Sequence, residues 1–508
     1  MSAYSSPPPS PTQVRTGLQT PLRQRIPFIL AAFSTVVFCL FALLGTDLWN
    51  DEVWTLLLIR SRSFPGIARA TALDVHPPLY YWLLKAVWTV FPGSVATAKL
   101  FSVLPLAAGL FVCVRRLCRE RDVPGACLFV LLVLAARQLV AVSTEIRMYA
   151  WAAFFVLMAH FSGSDLVRTK KRRCSFALGV WSALSALTHY LAGLFAASVI
   201  GTAAIALWFL DRTDRKKTAT RILLAGFVAL VPFLPWAGVF LRNLSSVSGG
   251  RFWIPQAIGG LDACCHLFSL RPDWAGLIPA AAAVGLFAAG LACLVPGRTG
   301  PDRRDRAASL LFFAAPAAAL ILAILYSRLV SPILTRHYFS IPAMPVLFFL
   351  SAGLSRHCPK RILLGTLAAA AVFATVNLAF SAGGLARRTA AWNGLLRCVD
   401  AKASSETQFV YPGDGDYVLR ALVSYLRPGN PHFSDMPDSP MDFHDPDADR
   451  RPLADADPGE PWCVVLRDGN ESAWPAGFPE KGPFDLFRHS YWGSIRFYWS
   501  RDAVRNDP

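Results

Sequence analysis

Apolar residues along this chain come in long unbroken runs, with neither the alternation of half-buried strands nor the striping of surface helices. Segments near the ~20 residues needed to cross a ~30 Å hydrocarbon core recur through the first three quarters of the sequence, separated by short polar loops. They predict spanning helices at about 26–45, 97–114, 123–141 and 148–165. A fifth leads to Thr188-His189-Tyr190 and a sixth returns to Arg212. Five more fall at about 221–241, 274–295, 307–326, 338–354 and 362–381, making about 11 in all. Between Pro78 and Pro92 the chain is apolar and aromatic but short and carries Lys85, which predicts an interfacial or re-entrant helix. The Ser/Pro-rich start predicts a disordered segment, residues 1–25. Beyond residue 382 the composition turns polar. Short apolar runs survive there at Gln408–Tyr411, Val418–Leu426, Trp462–Leu466 and Ser494–Trp499 and predict a small α/β domain over 383–508. Residues 26–382 are then one transmembrane domain, whose first outer loop is 46–96.

A chain of 508 residues that is 54% hydrophobic and only 16% charged is not a soluble enzyme but an integral membrane protein. The net charge of +17 would suit a nucleic-acid binder, yet the basic residues bunch in short loops between apolar runs. With Arg15, Arg23 and Arg25 in the cytoplasm, Arg115–Arg121, Arg168–Arg173, Arg212–Arg221, Arg298–Arg306 and Arg356–Arg361 all fall inside. These segments hold more than twice the Lys and Arg of the longer outer loops, as positive-inside topology requires, so no nucleic-acid partner is expected. No A-x-A site follows the first run, so that run reads as an uncleaved helix and not a signal peptide. The eleven cysteines show no CxxC and no metal-ligand spacing, and most lie in apolar segments as small hydrophobes. A disulfide between Cys398 and Cys463 is open if the tail lies outside the cytoplasm.

This threading puts the unusual polar clusters on one side. Asp51-Glu52, Asp74 and His76, Glu145/Arg147/Tyr149, His189-Tyr190 and Arg336-His337-Tyr338 all fall at outer helix ends. A carboxylate costs roughly 2.5–3.5 kcal/mol at a helix centre, so acids kept beside a bilayer point to a polar cavity. Capping of an interfacial helix would also account for the acid pair, and an interfacial ion pair for Glu145 and Arg147. Arg336 opens an apolar helix on the outer side against the charge rule, which calls for an anion. Together these groups can move a group off a phosphate-linked donor. A carboxylate takes a proton from an attacking hydroxyl, and Arg forks match phosphate oxygens. A divalent metal held by Asp74, His76 and His189 could steady a leaving phosphate. There is no GxGxxG or GxxxxGK[ST] at a strand-to-helix turn, so a lipid-carried donor fits better than a nucleotide. A transporter or flippase of lipid-linked sugars is the alternative, and it calls for ionisable groups near the midplane and paired broken helices.

Trp49-Asn50-Asp51-Glu52 after the first helix, Asp74-Val75-His76-Pro77-Pro78-Leu79-Tyr80-Tyr81, Glu145-Ile146-Arg147-Met148-Tyr149-Ala150 and Arg336-His337-Tyr338 with Pro342 and Pro345 occur in an order that resembles the GT-C glycosyltransferases. The nearest branch is the bacterial family 39/83 group, similar to protein O-mannosyltransferases and lipid A aminoarabinose transferases. The resemblance covers roughly residues 26–380. It implies an all-α polytopic membrane bundle in the cell inner membrane, with the active site and the C-terminal domain extracytoplasmic. It further implies transfer of a hexosyl or pentosyl group from a polyprenyl-phosphate donor to a hydroxyl of a lipid, glycan or protein, usually with inversion. Asp51 is then the base or orienting carboxylate, with Glu52 beside it. His76, Arg147, Tyr149, Arg336, His337 and Tyr338 would face the donor phosphate. Two positions depart from the pattern: some relatives have Lys in place of His76, and many read Arg-Tyr where this chain reads Arg336-His337-Tyr338.

Overall fold

The computed structural model describes residues 20–91, 93–248, 254, 303–403, 407–410, 417–426, 461–469, 474, 484–489 and 492–500. Most of the expected disordered start, the span at 274–295 and the Asp/Pro-rich stretch 428–461 lie outside the described residues.

The first helix, α1 (Thr20–Leu44), begins six residues before its expected start and tolerates Pro27 near its beginning. Three short helices follow: α2 (Asn50–Ser61), α3 (Phe64–Ala72) and α4 (Leu79–Val90). The last is the apolar Pro78–Pro92 segment. Its 12 residues reach about 18 Å, too short to cross a bilayer. Next come α5 (Val95–Arg119), α6 (Val123–Ala135), the single-turn α7 (Arg137–Val142), α8 (Tyr149–Thr169), α9 (Arg172–Thr188) and α10 (Tyr190–Leu210). The expected third span, 123–141, is therefore two helices, because Ala136 is extended and interrupts the hydrogen-bond ladder. Likewise the expected 221–241 span is longer and composite: α11 (Arg215–Leu230) passes through a 3-10 turn holding Pro232 into α12 (Leu234–Ser248). The bundle closes with α13 (Arg303–Leu329), α14 (Ser340–His357) and α15 (Lys360–Lys402).

Eight helical stretches among the described residues are long and apolar enough to cross a membrane, α11 and α12 counting as one. α9, at 17 residues, reaches about 25 Å and joins the end of α8 to the start of α10. α8 and α14 are buried nearly all round and form the centre, where Phe161 and Phe348 pack edge to face. The outer helices do the reverse. Phe33, Phe209, Leu223, Phe227 and Phe380 are more than half exposed, a girdle of large apolar side chains that only lipid can cover. The molecule is a polytopic membrane bundle.

The two ends of the bundle differ. At one end Arg116 pairs with Asp165, Arg168 with Glu120 and Asp305, Lys170 and Arg304 with Asp211, and Arg356 with Glu120 and Asp122. These pairs stitch α5, α8, α13 and α14 to the loops before α6 and after α10. Asp122 also caps α6, accepting from the Gly125 N–H at 2.9 Å. The opposite end gathers the acid pair with His76, His189 and His337.

α15 has 43 residues and reaches about 65 Å, twice the hydrocarbon thickness. It runs straight through position 383, where polarity changes, and carries Trp392, Leu395 and Val399, all buried, into the C-terminal part. There β1 (Gln408–Val410), α16 (Tyr417–Leu426), β2 (Trp462–Arg467), β3 (Phe484–His489) and β4 (Gly493–Trp499) form a small α/β domain. The sheet order is β1-β2-β4-β3, with β1 parallel to β2 and the other pairs antiparallel. Asp485 ties helix to sheet, accepting from Lys402 Nζ (2.6 Å), Trp499 Nε1 (2.8 Å) and Cys398 Sγ (3.2 Å). Cys398 and Cys463 are not joined to each other, so the disulfide left open by the sequence does not form. Cys398 is engaged by Asp485, while Cys463 is buried within β2.

Candidate active site

Asp51 and Glu52 sit in the first turn of α2, where helix N-termini favour acids. Neighbours in sequence, they point to different surroundings. Glu52 is buried. Its Oε2 accepts from the Trp49 N–H (3.1 Å), closing the helix start, and its Oε1 accepts from the Ile146 N–H (2.8 Å) of the loop before α8. Burial pushes its carboxyl up to about 7, against the pull of Lys99 and the Ile146 hydrogen bond. Asp51 stays about one-third exposed, takes Asn50 Nδ2 at 3.0 Å and lies 3.4 Å from Arg147 Nη2. Glu52 builds the turn and Asp51 is presented to solvent.

Arg147 is almost completely buried. Its Nη1 donates to Tyr81 Oη (3.2 Å) and Thr55 Oγ1 (3.3 Å), so one guanidinium joins the acid pair to α2, α4 and the 143–148 loop. Burial opposes its charge, but Tyr81, Asp51 and further acids around it hold the guanidinium well above its usual range.

Beyond Arg147 runs a wall of rings. The His337 imidazole is sandwiched between Trp49 (5.5 Å, 11° between planes) and Tyr149 (5.6 Å, 23°), and its Nδ1 lies 3.5 Å from Glu145 Oε2. Tyr149 also meets Tyr338 and His189 at 6.0 Å, and His189 meets Tyr338 edge-on at 4.7 Å and His76 at 5.3 Å. His76 Nδ1 is 3.5 Å from Asp74 Oδ2. Burial raises the carboxyls of Asp74 and Glu145, but His76 and His337 respectively, with Arg147 acting on both, bring them below the ordinary carboxylate range. Burial, then His76 and Arg147, pushes His189 well below the usual imidazole range, so it is neutral. Arg336, beside this wall, is exposed. Its one side-chain hydrogen bond among the described residues runs from Nε to His337 Nε2 at 3.5 Å.

The side chains singled out in the sequence therefore lie at one end of the bundle, although they come from five separate stretches of chain. The arrangement leaves polar atoms stranded. Glu145 Oε2, Arg147 Nε, His337 Nδ1, His189 Nε2 and both nitrogens of His76 are buried and make no hydrogen bond among the described residues. A buried polar atom without a partner costs about 1–3 kcal/mol, so this cluster is a poor way to stabilise a fold. It suits a polar ligand.

Asp74, His76 and His189 do not form the three-donor group that a metal would need, and no such group occurs among the described residues. One ring nitrogen of His189 is taken by the backbone. As the residue before α10, its Nδ1 accepts from the Leu191 N–H at 3.1 Å.

Several residues escaped the sequence reading. Asp47 is buried, accepting from Arg388 Nε (2.8 Å) and Thr389 Oγ1 (3.2 Å) of α15, and Lys99 Nζ donates to its backbone carbonyl at 2.7 Å. The Leu48 carbonyl next to it accepts from Trp492 Nε1 at 2.7 Å. Thus α5, α15 and the C-terminal domain all grip the segment that leads into Asp51. On the far side Asn243 Nδ2 donates to the Asp74 carbonyl (2.6 Å) and Arg242 Nη2 to the Ala72 carbonyl (2.7 Å), so α12 pins the turn that bears Asp74 and His76. Lys99 was open to discovery: a lone Lys in an apolar helix is expensive unless it finds an acceptor. Nothing local marks Asn243, Arg388 or Trp492.

No family model matches the sequence, and no curated protein matches it. Solved structures do. The crystal structures of ArnT from Cupriavidus metallidurans, one bound to undecaprenyl phosphate and one in the apo state, each align over 94% of this chain and 99% of that chain, with a TM-score of 0.58 at 14% identity. The chain has the fold of ArnT: a bundle of apolar helices that carries a small C-terminal sheet domain.

Proposed function

We propose that this protein is a membrane glycosyltransferase that moves a sugar from a polyprenyl-phosphate donor to a hydroxyl of a lipid, glycan or protein acceptor at the outer face of the inner membrane. The observation that carries the reading is the placing of a part-exposed carboxylate, Asp51, on a buried guanidinium, Arg147, beside buried imidazole nitrogens that make no hydrogen bond among the described residues. Its support from comparison is that ArnT, whose fold the chain has, was crystallised with undecaprenyl phosphate.

In this reading the acceptor oxygen attacks the anomeric carbon and the bond to the donor phosphate oxygen breaks, the phosphate leaving with the electron pair. Asp51 accepts the hydroxyl proton, and Arg147, 3.4 Å away, orients that carboxylate. The polyprenyl phosphate leaves against His337, His76 and exposed Arg336, whose fork can reach a phosphate oxygen. Back-side attack gives inversion. Asp74 and Glu145, each 3.5 Å from an imidazole nitrogen, orient His76 and His337 toward the departing phosphate.

The test is turnover of a synthetic polyprenyl-phosphate sugar in the presence of envelope lipids and glycans, with donor binding measured separately. Replacing Asp51 by Asn should lower turnover by about 10²–10⁴-fold, the usual worth of a general base, with donor affinity kept. Unchanged turnover would remove Asp51 from the chemistry. A wild type that neither binds nor consumes such donors would end the reading.

A further inference from the structure

At the end of the bundle opposite the acid pair, a groove of about 600 Å³ opens between α9 and α11. Lys170, Arg172, Lys217 and Arg221 line its upper part, and Leu223, Leu224 and Phe227 its lower part. Two of the four cations are neutralised within the protein, Lys170 by Asp211 and the well-exposed Lys217 by Asp214 at 3.4 Å. Arg172 and Arg221 make no ion pair among the described residues, and Arg221 Nη1 is buried without a hydrogen-bond partner. The groove thus holds two uncompensated guanidinium groups, one of them partly withdrawn from water.

Its lower half limits what can enter. Leu223 is 71% exposed and Phe227 67%, and both belong to a helix whose apolar surface faces acyl chains in a bilayer. From Arg221 to Phe227 is six residues, about 9 Å along the helix axis, the distance from a headgroup phosphate to the first stretch of its acyl chains. A free nucleotide or an acidic peptide would meet the cations but leave Leu223 and Phe227 bare. A neutral lipid would cover the apolar wall and leave the guanidinium groups without an anion.

We propose that this groove is a binding site for an anionic phospholipid, with the headgroup phosphate held by Arg172 and Arg221 and an acyl chain lying on Leu223 and Phe227. Basic pockets between spanning helices bind anionic headgroups by this combination of fork geometry and apolar floor. The site is remote from Asp51, so it stands whether or not the protein transfers sugars.

The test uses the full chain in detergent, titrated with phosphatidylglycerol, phosphatidylcholine or inorganic phosphate while its melting temperature is followed. Phosphatidylglycerol should raise the melting temperature well above the level reached with phosphatidylcholine, and phosphate alone should not. In the double variant Arg172→Gln/Arg221→Gln the phosphatidylglycerol concentration for half effect should rise about thirtyfold, the worth of two basic groups at a membrane surface, with the phosphatidylcholine baseline unmoved. If the double variant does not fold, Arg221→Gln alone should shift the same midpoint about fivefold. Equal responses to the two lipids, or a variant midpoint that stays put, would overturn the site. A full response to inorganic phosphate would show a small-anion site and overturn the lipid.

Discussion

The indole N–H of Trp492 donates to the carbonyl of Leu48 across 2.7 Å, joining the turn before β4 to the loop three residues ahead of Asp51. The contact is fully buried, and Trp392 of α15 stacks on the same indole at 6.1 Å. A second grip lies further along α2, where Arg60 sits 5.7 Å over the ring of Tyr425 in α16. The C-terminal domain therefore holds the acid-bearing helix at both ends.

Trp492→Phe keeps the ring and removes only the donor, leaving the Leu48 carbonyl buried and unpaired. Stability should fall by about 1–3 kcal/mol. Because the loop it frees leads into Asp51, turnover should fall while the donor KM stays constant. Thermal melting and steady-state kinetics read the two effects, and a variant unchanged in both would show that the domain merely rests on the bundle.

Glu52 gives a pH signature. Its folded-state value of about 7 lies above the unfolded value near 4.3, so between those limits the folded protein binds more protons than the unfolded chain. The stabilisation from protonating Glu52 is full below about pH 4.3 and is lost as pH rises through about 7. Asp74 and Glu145, whose folded values are lowered, act in the opposite sense, so the comparison must be with Glu52→Gln. The melting temperature of Glu52→Gln relative to wild type should climb from pH 5 to pH 8. A constant difference would mean that Glu52 is ionised throughout.

Arg147 gives a stability ranking. Truncation to Ala removes the donor from buried Tyr81 and the ion pair from part-exposed Asp51 at once, which should cost about 1–3 kcal/mol. Arg147→Lys keeps the charge but cannot reach both groups. Chemical or thermal unfolding should rank wild type above Lys and Lys above Ala, and an Ala variant as stable as wild type would contradict the geometry.

Two glycines separate close packing from open lipid-facing surface. A Cβ on Gly179 of α9 would lie 2.6 Å from Val228 Cβ and 2.7 Å from the Ala225 carbonyl oxygen of α11, neither of which can move without shifting the helix. Gly179→Ala should destabilise by about 1–3 kcal/mol. Gly201 in α10 meets nothing within 4 Å, so Gly201→Ala should be neutral or gain up to about 1 kcal/mol from helix propensity. Matching melting temperatures for the two variants would show that α9 and α11 are not in tight contact.

Helix bounds show how far local chemistry reaches. The long helices lie where apolar runs predict them because the exclusion of charge from hydrocarbon acts on each segment by itself. α7 splits from α6 without a proline or glycine to announce it, and α15 overruns the polar boundary at 383 because Trp392, Leu395 and Val399 find a sheet to bury against. Asp51 and Arg147 stood out as ionisable groups at a membrane edge. Asp47, Arg388 and Trp492 did not, since their partners lie more than 300 positions away.

What the amino-acid order alone determined was which segments enter the bilayer and which end of them carries the reactive side chains, because both depend on the transfer of individual residues out of water. Tertiary structure alone decided that Glu52 is buried while Asp51 beside it is open, that one ring nitrogen of His189 goes to a helix end, and that the C-terminal domain grips the loop leading into Asp51. Those outcomes depend on which distant backbone N–H, guanidinium or indole arrives within hydrogen-bond reach, and no periodicity along the chain records such a meeting.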